Sequence, residues 1–195
     1  MSRVGKKPIS IPEGVKVEIL EGIVRVTGPK GFLEQAFHPN LKVMVNNGQI
    51  VVQGKSEDKF DRALHGLTRT LLANAIKGVI EGYQKELQIY GVGYRAEIKS
   101  EGLNLLLGYS QPIFFKAPPG IKFEIFEDSK LKAQDKVYQL NIKIMGIDKQ
   151  LVGETAAKVR AIRPAEPYQG KGIRYLNEII RRKAGKAAAT KIGGA

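Results

Sequence analysis

The chain has 195 residues, and its 32 Lys and Arg against 19 Asp and Glu give a net charge of +13. A hydrophobic fraction of 43% is normal for a folded protein of one or two domains, and there is no apolar run of about 18 residues that could cross a bilayer. The absence of cysteine excludes disulfides, thiol catalysis and cysteine-held metals, and two distant histidines argue against a histidine-rich metal site.

The positive charge is concentrated at the two ends of the chain. Residues 1–7 carry +3 and residues 158–195 carry +8, whereas residues 8–157 carry only +2. Basic terminal segments favour a polyanionic partner, because each phosphate that a Lys or Arg contacts releases condensed counterions. On charge alone, a soluble protein that is merely basic remains an alternative.

The first half of the chain consists of alternating apolar segments followed by a helix. Leu41–Val45 alternates as a half-buried strand requires, and apolar spacings of three and four predict a helix over Asp61–Val79. We expect His65 beside the helix's apolar stripe, partly exposed, and Asp61 near the positive end of the helix dipole. The predicted core-facing stripe contains Phe60, Ala63, Leu64, Leu67, Leu71, Ala75 and Val79.

The second half repeats this order at an offset of 80 residues. Glu21–Val26 matches Glu101–Leu106, and Pro39–Val45 matches Pro119–Ile125. Self-similarity at one offset over two separate segments indicates a duplicated unit.

A second helix is predicted near the end of the repeat. Its apolar stripe runs from Ile147 to Ile162 and stops before Pro164, which forbids helical continuation. This helix aligns with the first at an offset of 83, so the second copy gains about three residues, which we place in Val137–Ile144.

The repeat predicts an α+β fold with two tandem copies of one small domain. Each copy is expected to be an antiparallel β-sheet packed with one α-helix. Gln84–Tyr90 follows the first helix and is predicted to be a strand of the second domain. The predicted domains are residues 1–82 and 83–175, followed by a basic tail, residues 176–195.

Two glycine motifs resemble nucleotide-binding fingerprints, but their contexts exclude that role. Gly91–Ala96 fits G-x-G-x-x-A, yet the following segment, with its internal Gly102, is typical of strands rather than the required helix. Gly54-Lys55-Ser56 ends like a phosphate loop, but Gln49 stands where that loop needs glycine. We interpret the first motif as a glycine-rich bend between strands.

The sequence predicts no active site. Asp61 lies one helical turn before His65 and could orient it, but no G-x-S-x-G serine accompanies the pair. Glu57, Asp58 and Asp61 are typical of a helix start. An enzyme acting on nucleic acid would need carboxylates that bind magnesium, and this alternative predicts magnesium-dependent turnover. We predict no catalytic residue, no metal ligand and no cofactor.

The segment Arg163–Tyr175 has a composition suited to binding RNA. Glycines on both sides of Lys171 permit close backbone approach to phosphates, and Tyr168 and Tyr175 could stack on bases. An ordinary solvated Pro/Gly loop is the alternative. The Arg181-Arg182-Lys183 cluster begins a tail that we expect to be disordered alone and ordered on a polyanion, although it could instead bind a protein or an anionic membrane.

Five short motifs follow one another along the chain. They are Ser2–Ile9, Gly28-Pro29-Lys30-Gly31, His65-Gly66-Leu67-Thr68-Arg69, Gly91–Ala96 and Glu166–Tyr175, and the last is the most specific. In this order they resemble the bacterial-type large-subunit ribosomal protein L-six family, the universal L-six family. The resemblance runs from residue 2 to about residue 183.

The resemblance implies a non-enzymatic, cytoplasmic protein of the large ribosomal subunit. It implies binding to large-subunit rRNA near the sarcin–ricin loop, neighbouring ribosomal proteins, and translational GTPases docking nearby. The main rRNA contacts would come from the second domain, through the loops Gly91–Arg95 and Tyr168–Tyr175. Two residues depart from the family pattern: Gln169 replaces a usual lysine, and Phe32 stands where an acidic residue is common.

The predicted RNA-binding residues fall into two groups. The first supplies the main contacts and contains Gly91, Gly93, Tyr94, Arg95, Tyr168, Gln169, Gly170, Lys171, Gly172, Arg174 and Tyr175. The second supplies weaker, largely sequence-independent attraction and contains Arg160, Arg163, Arg181, Arg182 and Lys183.

Overall fold

The computed structural model describes residues 2–56, 58–127 and 139–183. The chain divides into two compact units. The first extends to Tyr83 and includes Gly146–Lys149, and the second contains Gln84–Met145 and the chain from Gln150 onward. Within the described ranges, no helix is both long enough and apolar enough to span a membrane.

The first unit packs one helix on two antiparallel sheets. Its elements are β1 (Ile9–Ser10), β2 (Lys16–Leu20), β3 (Ile23–Gly28), β4 (Gly31–Ala36), β5 (Leu41–Asn46), β6 (Gln49–Gly54) and α1 (Lys59–Ile80). The sheet orders are β2-β3-β4 and β1-β6-β5, and α1 contacts both. Residues with strictly alternating burial, such as Val24 and Val26, put one face of β3 into the core, where Leu72 and Val79 of α1 meet it.

The second unit has the same plan with one strand added. Its elements are β7 (Tyr83–Tyr90), β8 (Arg95–Lys99), β9 (Gly102–Leu106), β10 (Ile113–Lys116), β11 (Ile121–Glu127), β12 (Gln139–Gly146), α2 (Lys149–Ile162) and β13 (Gly172–Tyr175). Its sheet orders are β8-β9-β10 and β11-β12-β7-β13, so β7-β12-β11 corresponds to β1-β6-β5. This correspondence confirms the predicted α+β duplication, although each copy contains two sheets rather than one.

The predicted offset of 80 holds at one turn and fails by one residue at another. Before β5 and β11, Leu41 N donates to His38 O (2.9 Å) and Ile121 N donates to Pro118 O (3.2 Å), 80 residues apart. In the first hairpin, however, Gly22 lies in the turn with φ +77°. In the second hairpin, Gly102 is already the first residue of β9 and pairs with Lys99 of β8. Matching Gly22 to Gly102 was therefore wrong by one position. The predicted insertion at Val137–Ile144 begins outside the described residues.

Helix α1 buries part of the predicted stripe, including Ala75 and Val79, but other predicted positions are exposed. Phe60 and Leu67 are exposed, Leu67 by 54%, whereas His65 is only 1% exposed, so its predicted partial exposure was wrong. The buried row includes polar residues with internal partners. Its members are Asp61, His65, Thr68, Leu72, Ala75, Ile76, Gly78 and Val79.

Hydrogen bonds account for the burial of two of these polar side chains. The Asp61 carboxylate accepts from Ser56 Oγ (2.6 Å) and Asn40 Nδ2 (3.0 Å). These bonds, that from Ser56 first, lower the pKa of Asp61. His65 Nε2 bonds to Val52 O (2.8 Å), so Asp61 holds the loop before the helix and does not orient His65.

The start of α2 also differs from its prediction. The helix begins at Lys149, so Ile147 precedes it and packs against the core of the first unit. The end at Ile162 is as predicted from Pro164.

The Gly28-Pro29-Lys30-Gly31 motif has a structural role in the first unit. Lys30 N donates to Val79 O (3.0 Å), and the Lys30 ammonium donates to Glu81 O. The turn between β3 and β4 therefore satisfies carbonyls at the end of α1, where a cation also interacts favourably with the helix dipole.

Candidate nucleic-acid interface

The pairing of β7 with β13 brings two of the predicted motifs together. The strands are antiparallel, and Tyr90 at the end of β7 pairs with Gly172 at the start of β13. The segment Gly91–Tyr94 and the segment Pro167–Lys171 therefore leave the sheet side by side. These motifs are separated by over 70 residues of chain, and the sheet makes them one surface.

Gly172 is required at the start of β13. Its φ is +138°, and an added Cβ would lie 2.6 Å from Pro164 O and 2.7 Å from Ala165 Cα. The next residue is held closely too, since Ile173 N donates to Arg163 O (2.7 Å). The chain after α2 thus turns back tightly to place Lys171 beside the end of β7.

Arg163 ties a third loop to this surface. Its Nη1 donates to Leu107 O (2.6 Å), and its guanidinium lies 5.3 Å from the ring centroid of Tyr94 and 4.8 Å from that of Tyr109. The Tyr109 hydroxyl donates to Ile162 O (3.0 Å). Arg163 therefore positions the loops around it, a role that the predicted weak phosphate attraction did not include.

The tyrosines of this region divide into supporting and exposed rings. Tyr94 is 7% exposed and packs on Gly91, where an added Cβ would lie 2.7 Å from the ring. Its ring supports the loop and is not displayed to a ligand. Tyr168 is 57% exposed and Tyr109 is 50% exposed, so these two rings are available for stacking. The sequence reasoning missed Tyr109, whose only signal was its place after Gly108 in a turn.

Arg174 and Tyr175 point to opposite faces of β13. Arg174 Nε donates to Gln88 Oε1 (3.2 Å), and its guanidinium lies 5.3 Å from the Tyr90 ring. The Tyr175 ring lies instead 5.6 Å from the guanidinium of Arg160 on α2. The prediction of one loop over Tyr168–Tyr175 was wrong for its second half, which is strand, and successive strand residues alternate between faces.

Arg160 is neutralised by a partner. It forms a bidentate ion pair with Glu178, with Nε 2.9 Å from Oε2 and Nη2 close to Oε1. Glu178 also accepts from the Tyr175 backbone N–H (3.0 Å). The Arg160 bond, followed by the backbone N–H, lowers the pKa of Glu178. This arrangement anchors the segment after β13 to α2 rather than offering the Arg160 charge to a ligand.

The described part of the basic tail returns to the loop before β13. Lys183 N donates to Pro167 O (2.8 Å), while Gly170 N donates to Glu166 O (3.1 Å) within the loop itself. Arg181, Arg182 and Lys183 are exposed. The tail through Lys183 thus has a defined path in this structure, and residues 184–195 lie outside the described residues.

These loops and the described part of the tail form a surface that carries cationic side chains without partners. We call it the loop surface and define it by Gly91–Arg95, Gly108-Tyr109, Tyr168–Lys171 and Arg181–Lys183. In the described ranges, five of its cationic side chains make no hydrogen bond or ion pair with another residue. Gln169 and Gly93 are exposed between them, and Gly93 has φ +77°. The unpaired cations are Arg95, Lys171, Arg181, Arg182 and Lys183.

Comparisons with known proteins identify the family of the chain. The sequence model of the family described as Ribosomal protein L6 matches residues 11–82 and 90–176, once per copy. A protein of Thermomicrobium roseum named Large ribosomal subunit protein uL6 is 52% identical over 192 residues, which is 98% of each chain. Proteins of the same name from Chloroflexus aggregans (50% over 192 residues, 98% of this chain and 100% of that one) and Chlorobium limicola (50% over 188 residues, 96% and 99%) are similar. The chain therefore belongs to the ribosomal protein L6 family.

Proposed function

We propose that this chain is a structural, non-enzymatic constituent of the large subunit of the cytoplasmic ribosome, and that it binds large-subunit rRNA through the loop surface of its second unit. Family membership and the names of its relatives support the first part. We place the bound rRNA near the sarcin–ricin loop, beside the region where translational GTPases dock. Neighbouring ribosomal proteins are further partners.

The observation that carries the rRNA-binding proposal is the pairing of Tyr90 with Gly172. This pairing sets the unpaired Lys171 beside Gly91, at the start of the short segment that leads to the unpaired Arg95. The exposed rings of Tyr109 and Tyr168 add stacking surfaces to these cations. Cations that contact phosphates together with exposed aromatic rings are the combination that proteins use on irregular RNA.

Each residue type has a distinct part in the proposed interface. Arg95, Lys171 and the cluster Arg181–Lys183 contact phosphates. Tyr109 and Tyr168 stack on bases or pack on riboses. Gln169, which lacks the charge of a lysine, contributes amide hydrogen bonds instead of a phosphate contact. Arg163 positions the loops without touching RNA.

A salt series with paired variants tests the proposal. Arg95→Ala combined with Lys171→Ala should weaken binding to a large-subunit rRNA fragment containing the sarcin–ricin loop. It should also flatten the dependence of log K on log salt by about 0.7–0.9 for each lost phosphate contact. The matched control is Lys116→Ala with Lys122→Ala, which removes two exposed cations elsewhere in the second unit. Equal slopes for the two pairs would show that the loop surface does not hold the RNA.

The location on rRNA has a separate test. In large subunits reconstituted with and without the protein, chemical footprinting should show protection of the sarcin–ricin loop region, and the Arg95/Lys171 variant should weaken it. Stimulation of a translational GTPase by the same subunits reports on the docking region. Protection confined to other helices would move the site while leaving rRNA binding in place.

A further inference from the structure

We propose that the first unit carries a second surface for the phosphate backbone of rRNA, built by the amino-terminal segment lying on helix α1. We call it the amino-terminal basic surface. It rests on the proposed function, since it assigns another contact with the same partner. Its cations are Arg3, Lys6, Lys7, Arg62 and Arg69.

The amino-terminal segment is folded into a compact turn. Lys6 N donates to Ser2 O (3.2 Å), and Lys7 N donates to Val4 O (3.2 Å). The Ser2 hydroxyl accepts from Gly5 N (3.3 Å), as a helix cap does. These bonds present the side chains of Arg3, Lys6 and Lys7 from a rigid backbone, and all three are exposed.

This turn is docked on α1 through His65. Gly5 is buried, and a Cβ added to it would lie 2.6 Å from Cγ and Cε1 of the imidazole, so only glycine fits there. The ring itself cannot move aside, because it is buried and its Nε2 donates to Val52 O (2.8 Å). The buried histidine is thus the platform on which the amino-terminal turn rests.

Two further contacts join the same elements. A Cβ added to Gly66 would lie 3.0 Å from Ser2 Oγ, so the helix approaches the turn closely. Arg69 Nε donates to Lys7 O (3.2 Å), which leaves the other guanidinium nitrogens for a ligand. The motifs Ser2–Ile9 and His65–Arg69, which lie far apart in sequence, therefore form one structural element.

The docked turn adds its charges to those of the helix. Arg62, Gly66 and Arg69 lie on one face of α1 at spacings of four and three. In the part of the chain that the structure describes, none of the five cations has an ion-pair partner. Asp61, the neighbour of Arg62 in sequence, is directed to Ser56 and Asn40 instead, and Asp58 lies one turn before Arg62 at the N-cap of the helix.

The chemistry of this surface fits an RNA backbone. Val4, in the middle of the turn, is half exposed, so the turn adds little to the apolar core of the unit. Its contacts with α1 instead hold the cations in place. The five residues supply positive charge, and three of the side chains end in a guanidinium group rather than an ammonium group. Guanidinium groups bind phosphates in bidentate fashion, independently of base sequence.

Site-directed cleavage in assembled subunits tests this placement. Because the chain contains no cysteine, single cysteines can each carry an iron–EDTA probe at one known position. Val4→Cys should produce rRNA cleavages distinct from those of Ser110→Cys beside the loop surface. Glu18→Cys on β2 is the control for a position outside both surfaces. Cleavage from Val4→Cys no stronger than from Glu18→Cys would overturn the proposal.

Charge-matched variants test the energetic contribution. Arg3→Ala with Lys6→Ala and Lys7→Ala should lower the salt slope of rRNA binding by about 0.7–0.9 per phosphate contact, and the control removes three exposed cations of the same unit (Lys16, Lys42 and Lys55) with little effect. Gly5→Ala keeps every charge but displaces the turn, and should weaken binding and reduce the Val4-linked cleavage. Circular dichroism and thermal melting establish that each variant is folded.

The outcomes separate this proposal from the proposed function. If neither the Arg95/Lys171 variant nor the amino-terminal variant alters rRNA binding, the rRNA contact assigned to the loop surface in the proposed function fails together with the amino-terminal basic surface. If only the amino-terminal triple behaves like its control, the amino-terminal basic surface is wrong and the loop surface stands. The amino-terminal triple variant is also tested on vesicles of phosphatidylglycerol. If it binds these vesicles less than the wild type does while its rRNA binding is unchanged, the proposal is likewise overturned and the surface is assigned to a lipid headgroup.

Discussion

The two units share one topology but end differently. In the first, the sheet β1-β6-β5 has a two-residue edge strand, β1. In the second, the corresponding position belongs to the eight-residue β7, which accepts β13 as a further strand. The helix is also shorter, 14 residues in α2 against 22 in α1, and at the offset of 83 the difference lies at its start, because Lys149 corresponds to Gly66 whereas Ile162 corresponds to Val79. The loop surface is located where the copies differ, so the duplicated core supports the site and the added strand creates it.

The largest effect is expected from the core of the first unit. Leu72→Ala should destabilise the protein by about 2–5 kcal/mol, because Leu72 is fully buried and truncation leaves a cavity. Leu67→Ala, an identical change on the exposed side of the same helix, should cost less than about 0.5 kcal/mol. Urea unfolding measures both free energies. A larger loss of stability for Leu67→Ala than for Leu72→Ala would show that the helix face predicted from the sequence is the buried one.

A smaller effect is expected from the strand that distinguishes the second unit. Gly172→Ala should cost about 1–3 kcal/mol through its φ of +138° and its contact with Pro164 O, and should also weaken rRNA binding by displacing Lys171. Gly153→Ala in α2 meets no atom within 4 Å and should stabilise by about 0.5–1 kcal/mol. Thermal unfolding and rRNA affinity are measured together. Normal affinity in a destabilised Gly172→Ala variant would separate β13 from the binding site.

Local patterns predicted the parts of the fold that are stabilised locally. Pro39 and Pro119 mark turns 80 residues apart, and Pro164 ends α2, because proline restricts the backbone wherever it stands. The prediction for α1 was wrong at Phe60, Leu67 and His65, because apolar spacing ignores polar residues that find internal partners. His65 is buried because Val52 O accepts a hydrogen bond from its Nε2 and Gly5 covers its ring, and neither residue is near it in sequence.

The candidate site was predicted in its motifs but not in its geometry. Gly172–Tyr175 reads as a loop in isolation and becomes a strand only because the edge of β7 offers hydrogen bonds. Arg160 counts as a binding cation until its pairing with Glu178, 18 residues later, is known. Non-local partners decide both cases, so composition alone could not assign them.

The pH dependence of stability tests the anchor of the tail in the second unit. Glu178→Gln should cost about 1.5 kcal/mol near neutral pH, because it removes a half-buried charged hydrogen bond. The folded-state pKa of Glu178 is lowered below the ordinary glutamate value of about 4.3, so this stabilisation is present above that value and is lost as the pH falls through the folded-state pKa. The free-energy difference between wild type and variant should therefore shrink as the pH falls below the ordinary glutamate value, and vanish once the pH lies below the folded-state pKa. A difference that stays constant with pH would mean that the charge of Glu178 contributes nothing to it.

The smallest expected effect concerns one position compared between the two helices. At the offset of 83, Leu72 corresponds to Thr155, which is equally buried, and among the described residues no partner is found for its hydroxyl. Thr155→Val should stabilise the second unit by about 1 kcal/mol, because it removes a buried unsatisfied hydroxyl from a core position. Thr70→Val in α1 is the control, since that exposed hydroxyl already donates to Gly66 O (2.8 Å) and its removal gains nothing. Urea unfolding of both variants decides the matter, and a loss of stability in Thr155→Val would show that the second copy requires this hydroxyl.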